Sequence, residues 1–186
     1  GLTTDQIKGL STTQVEKLSA TQIKALSVAQ VAAIETADLA KFNTEQIAAL
    51  SAAQVKGMGT EQIKALSTDQ VKGLQDAQIK ALSTDQIKQL GTAQIAELET
   101  NQIKSLTAAQ LSAMGTDQIA AIETTDLAQL SATQLKGLTT AQIAGLSTAQ
   151  VEKLSATQIK ALSTAQVAAI ETADLAKFST EQIAAL

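Results

Sequence analysis

The stretch Leu66-Ser67-Thr68-Asp69-Gln70-Val71-Lys72-Gly73 contains everything needed to start a helix. A serine hydroxyl before a helix accepts a hydrogen bond from one of the first-turn N–H groups that have no partner of their own, so Ser67 reads as the N-cap. Gln70, three residues on, is placed to reach back to the N–H of the cap, which makes Ser-x-x-Gln a capping box. Leu66 before the cap and Val71 after the glutamine form the apolar pair that fixes the angle of entry. Asp69 suits the positive end of the helix dipole.

The same octad recurs along the whole chain. From Leu2 onward, an aliphatic residue, Met or Phe opens each octad through Leu186, without insertion or deletion, giving 23 octapeptides with the consensus L-S-T-x-Q-I-x-A in 186 residues. Position six is aliphatic in all 23, from Ile7 to Ile183. Position five is Gln in 20 octads and Asp in three, Asp38, Asp126 and Asp174. Position two is Ser or Thr in 14, and position eight is Ala or Gly in 15. Small residues at position eight are expected to let the chain turn and let neighbours approach closely.

The period chooses among architectures. In one continuous helix, apolar residues spaced five then three apart rotate by about 80° per octad and form no stripe. A β-solenoid calls for period-two alternation and turn residues at its corners. Ala, Gln, Lys and Leu at this density favour helix. A helix of about six residues is unstable alone, because isolated helices need roughly 12 to 15 residues even to be marginal. Each octad must therefore bury its apolar residues against its neighbours, which is the logic of a solenoid. The expectation is an all-α superhelix of short helices, one per 8-residue repeat, over residues 1–186 as a single array. Positions one and six lie inside; positions three, four and seven lie outside. Gly1 precedes a full octad and Leu186 opens one that is not completed, so the chain reads as an excerpt of a longer array, or as one that stacks end to end with copies of itself.

Composition excludes much chemistry. The chain has no His, Cys, Pro, Trp, Tyr or Arg and a net charge of −4. A nucleic-acid partner wants a basic face, and no apolar run is long enough to insert in a membrane. The serines are committed as caps, so no catalytic, cofactor-binding or metal-ligating residues are expected, and the chain reads as a non-enzyme without cofactors. Departures from the repeat are few. Glu35 with Asp38, Glu123 with Asp126, and Glu171 with Asp174 read either as a paired-carboxylate cation site or as a variant capping box in which Asp replaces Gln. A calcium cage takes about six to eight oxygens, which two carboxylates do not supply. If these octads share one face, a superhelical turn holds roughly 5.5 to 6 octads, since an integral number of turns must then separate them. Gly59, Gly91 and Gly115 replace the cap serine; Phe42, Phe178, Met58 and Met114 occupy core position one. Residues 10–50 repeat as 146–186 with three differences, Thr13 for Ala149, Val28 for Thr164 and Asn43 for Ser179.

Arrays of Leu-Ser-Thr-x-Gln-Ile-x-Ala resemble the repeat regions of long bacterial surface or secreted proteins, of the adhesin-like, haem utilisation or adhesion type. The resemblance covers all 23 octads. It implies an extracellular or cell-surface stalk or spacer. A haem role would leave only Met58 and Met114 as axial ligands. Besides the spacer, a protein- or glycan-binding solenoid, a designed or consensus repeat scaffold, and an ice-binding rank of threonines (Thr stands at position three in 16 octads) are consistent with the residues. The partners expected are neighbouring repeats and further copies of the chain end to end.

Overall fold

The computed structural model describes residues 2–186; Gly1, the residue ahead of the first octad, lies outside them. The described residues are all-helical, with 23 short helices from α1 (Thr4–Lys8) to α23 (Thr180–Ile183), one per octad, so a helix and its octad share a number. The contacts group these helices into two units built alike, Gly1–Glu97 and Leu98–Leu186.

Each helix starts where the octad dictates. Before α7 (Ala52–Lys56), Ser51 is the cap: its N–H donates to Gln54 Oε1 at 2.6 Å, and its hydroxyl accepts from the Gln54 N–H at 3.1 Å. The cap residue is extended, with φ −72° and ψ 157°, and this ends the preceding helix as it starts the next. Helices of four to six residues follow from a new cap every eight.

No glycine among the described residues has a positive φ. The small residues of position eight are therefore not needed for turning; they are needed for close approach. A methyl group added to Gly73 would lie 3.1 Å from Thr44 Cβ, and one added to Gly57 would collide with Val28 Cγ1. Position eight thus packs over position three of the octad three before it. Most position-three threonines stay exposed as expected, Thr44 and Thr116 among them, while Thr12, Thr60 and Thr68 are half-buried.

The core is an aliphatic seam of positions one and six. Ile47, Val55, Ile63, Leu50, Met58 and Leu66 are all buried, as are most of their counterparts in each unit. Burying such a side chain contributes about 1.5 to 3 kcal/mol, which offsets the cost of ordering so short a helix. Helices pack on the third helix along: α3 (Ala20–Ala25) on α6 (Thr44–Ala49), α7 on α10 (Asp76–Ala81), and α14 (Ala108–Ala113) on α17 (Ala132–Lys136). Each helix rests on the third along, and side chains of one turn reach the backbone of the turn before it across 28 to 31 residues, so a turn holds between three and four octads. The expectation of 5.5 to 6 octads is overturned, because stacking puts the third helix in contact and leaves no room for two more.

Candidate functional site: the glutamine ladder

The polar residue buried in nearly every octad is the glutamine of position five. A capping role alone would leave this side chain at the surface. Gln54 is instead 2% exposed. While its Oε1 accepts from the Ser51 N–H, its Nε2 donates to the carbonyls of Ile23 at 2.9 Å and Leu26 at 2.7 Å, one turn earlier. Gln70 does the same to Leu39 and Phe42, each at 2.8 Å, and Gln142 to Leu111 and Met114 at 2.8 and 2.7 Å.

The acceptors explain the pattern. They lie near the C-terminal end of an earlier helix and just beyond it: the first already accepts the N–H three residues on, as Ile23 does from Leu26, and the second lies past the last turn, where helices leave carbonyls unpaired. One glutamine therefore closes the start of its own helix and the end of a helix one turn away. Only a side chain with an acceptor and a two-hydrogen donor on one terminal group can do both. The sequence does carry this signal. A capping box accepts Glu as readily as Gln, yet position five holds 20 Gln and no Glu. The preference shows that the amide NH2 is in use.

The three aspartates depart from the scheme. Asp38, Asp126 and Asp174 are buried. None closes a cap: Glu35, Glu123 and Glu171 make no side-chain cap bond, and α5 (Thr36–Leu39), α16 (Thr124–Leu127) and α22 (Thr172–Leu175) stop at four residues. The reading of a variant capping box is thus overturned. Asp is one methylene shorter than Gln and has no amide NH2 to offer to the carbonyls of the earlier turn. Each instead accepts from a threonine hydroxyl 26 residues earlier, Thr12 at 2.9 Å, Thr100 at 2.5 Å and Thr148 at 2.6 Å. The paired glutamates stay exposed. Among the described residues, no group of three or more His, Cys, Asp or Glu is placed to hold a metal ion.

The other residues singled out in the sequence fall into place within the repeat. Gly59, Gly91 and Gly115 each donate their N–H to the glutamine three residues on, at 2.6 to 2.8 Å, and supply no hydroxyl. Met58, Met114 and Phe42 are core residues. The cap hydroxyls accept from glutamine N–H groups, for example Ser83 from Gln86 and Ser155 from Gln158. Outside, the ion pairs Lys72–Glu97 and Lys88–Asp85 are long and exposed, at 3.9 Å each, and contribute little. The Glu181 carboxyl, in the first turn of α23, is held below its ordinary range by its own backbone N–H and then by the hydroxyls of Ser179 and Thr180.

Two hollows open at the array's ends. One, of about 270 Å³, is lined by Leu2, Leu18, Leu26, Gln22 and Gln30 among others. A shallower one, of about 460 Å³, lies between Ala156, Thr157, Lys160 and Glu181. No helix among the described residues is long and apolar enough to cross a membrane.

A family model of the ALTTAQ repeat matches the chain at residues 1–33, 31–68, 62–92, 87–121 and 119–156. The motif can be read in Leu138-Thr139-Thr140-Ala141-Gln142, which runs from position one to the ladder glutamine. No curated protein gives a significant match.

Proposed function

The chain belongs to the ALTTAQ repeat family, and on that basis we propose that it is a non-catalytic spacer, a stalk segment of an adhesin-like protein on the outside of a bacterium. One observation carries this reading: the polar groups that a site would use are already engaged by the fold. Cap hydroxyls bond the first turn of each helix, and ladder glutamines bond both their own helix and an earlier turn. Besides the threonines of position three, many of them exposed, what remains outside at positions four and seven changes from octad to octad among Asp, Glu, Ala, Thr, Asn, Lys and Ser without a repeated constellation. A solenoid built this way keeps its pitch while its outer residues vary. The cell-surface placement rests on the resemblance of the octads to repeat regions of long bacterial surface proteins.

The test separates a spacer from a binding surface. Versions of the chain with the residues of positions four and seven shuffled among octads are tethered between a support and a reporter, and reach is measured against octad number. A spacer gives the same reach per octad whatever the shuffle and no saturable binding to glycan or matrix-protein arrays. Saturable binding by the native order that is lost on shuffling overturns the reading in favour of a binding solenoid.

A further inference from the structure

We propose that the three octads with aspartate at position five are yield points, where the joint to the turn before opens and recloses while the glutamine ladder on either side holds. The inference goes beyond the spacer role and rests on the hydrogen bonding and packing of these octads, whatever the chain is attached to.

A ladder joint is held by several bonds at once. Gln62 accepts the cap N–H of Gly59 at 2.8 Å and donates to the carbonyls of Val31 and Ile34 at 3.1 and 2.7 Å. Glycine at the cap removes a hydroxyl and none of these bonds. At Asp126 the set is gone. Its carboxylate accepts from the Thr100 hydroxyl and from no other group among the described residues, and Glu123 makes no cap bond. The carbonyl of Leu98, which stands 28 residues earlier, where ladder glutamines find an acceptor, receives no hydrogen bond among the described residues. Asp38 and Asp174 leave the carbonyls of Leu10 and Leu146 in the same condition. The glutamate at the cap is not the cause. Glu99 holds the same place ahead of Gln102, and there the glutamine accepts the cap N–H at 2.8 Å and α13 (Thr100–Ser105) runs to six residues. Behind Glu123, α16 stops at four. Aspartate at position five is the difference.

Packing is looser at the same octads. A small residue at position eight lies close over position three of an earlier turn, as Gly73 does over Thr44. In the aspartate octads position eight is Lys41, Gln129 or Lys177, each exposed. The apolar seam persists, with Ile34, Leu39, Ile122 and Leu127 buried as in other octads. These joints therefore keep their hydrophobic contact, which is non-directional, and lose the directional bonds that fix one turn on the next. In a solenoid the stability is close to a sum over neighbouring repeats, so a deficit at one joint stays at that joint. Local opening starts where such a deficit lies. A joint held by the seam and one hydroxyl–carboxylate bond opens before one held by the seam and the amide.

Native-state amide hydrogen exchange, read by mass spectrometry on the whole chain, tests this at Asp126. Fragments covering 122–129 are expected to exchange faster than those covering the ladder octads 130–137 and 138–145. Glu123→Ser with Asp126→Gln restores a ladder octad and is expected to slow exchange over 122–129 by about tenfold, the ratio that one net hydrogen bond sets between closed and open states. Glu123→Ser alone keeps the aspartate and is expected to leave the fast exchange in place. In the opposite direction, Gln62→Asp is expected to speed exchange over 58–65 while 130–145 stays as it was. Helical circular dichroism checks that each variant is folded. If Gln62→Asp is not, the unmodified chain and the restored octad decide. Exchange over 122–129 no faster than over 130–145 in the unmodified chain would overturn the proposal. So would a restored octad that exchanges as fast as the original, or one in which Glu123→Ser alone gives the full slowing.

Discussion

At the scale of single residues, the ladder glutamine separates two requirements that a sequence merges. Gln54 supplies an acceptor to its own helix and donors to the previous turn. Replacing it with Ala leaves the Ser51 N–H and the Leu26 carbonyl unpaired and the Ile23 carbonyl with only the Leu26 N–H, at an expected loss of about 1 to 3 kcal/mol by urea unfolding. Gln54→Glu is more informative. It preserves the cap acceptor but turns an ionised carboxylate toward two carbonyl oxygens, so the folded state raises the carboxyl's proton affinity above that of the unfolded chain. The folded state then binds more protons, and stability rises as pH falls through the folded value and is lost as pH rises. The variant should unfold at lower urea at neutral pH than at mildly acidic pH, by a margin that Gln54→Ala does not show. Equal pH dependence in the two variants would remove the donor role.

At the scale of elements, short helices are legible because their signals are local. Ser51, Gln54 and Val55 sit within five residues and specify the start of α7 without reference to the rest of the chain. The core positions are legible for the same reason, since Leu50 and Val55 repeat with every octad. What the local pattern leaves open is which octad lies over which. That depends on how tightly the turns pack, and the contact between positions eight and three is a determinant. Gly57 lies against Val28, which is larger than the Thr or Ala found at most other position-three sites. Gly57→Ala is expected to destabilise by about 1 to 3 kcal/mol through overpacking, and Val28→Ala in the same chain is expected to restore most of the loss. Thermal unfolding of the two single variants and the double variant measures the coupling; strict additivity would show that the two sites do not touch.

At the scale of the whole chain, the octad is the unit in which length can change. A ladder bond spans 28 or 31 residues, so removing one complete octad, such as residues 66–73, leaves each remaining ladder glutamine opposite a carbonyl of the same kind. Inserting one residue within an octad displaces each bond that crosses it, which is about a full turn of them. The deletion should retain helical circular dichroism per residue and a cooperative transition, whereas the insertion should unfold earlier and less cooperatively, as nearest-neighbour stabilisation in a solenoid requires. The same reasoning explains why the number of octads per turn could not be read from the positions of Asp38, Asp126 and Asp174. Those residues answer to Thr12, Thr100 and Thr148, a turn away, and not to one another. The central claim is that buried glutamine amides join successive turns. Side-chain amide hydrogen exchange by nuclear magnetic resonance tests it most directly. The Nε2 protons of Gln54, Gln62, Gln70 and Gln78 are predicted to be protected while those of Gln6, Gln14 and Gln22 exchange freely; uniform rapid exchange across all seven would contradict the account.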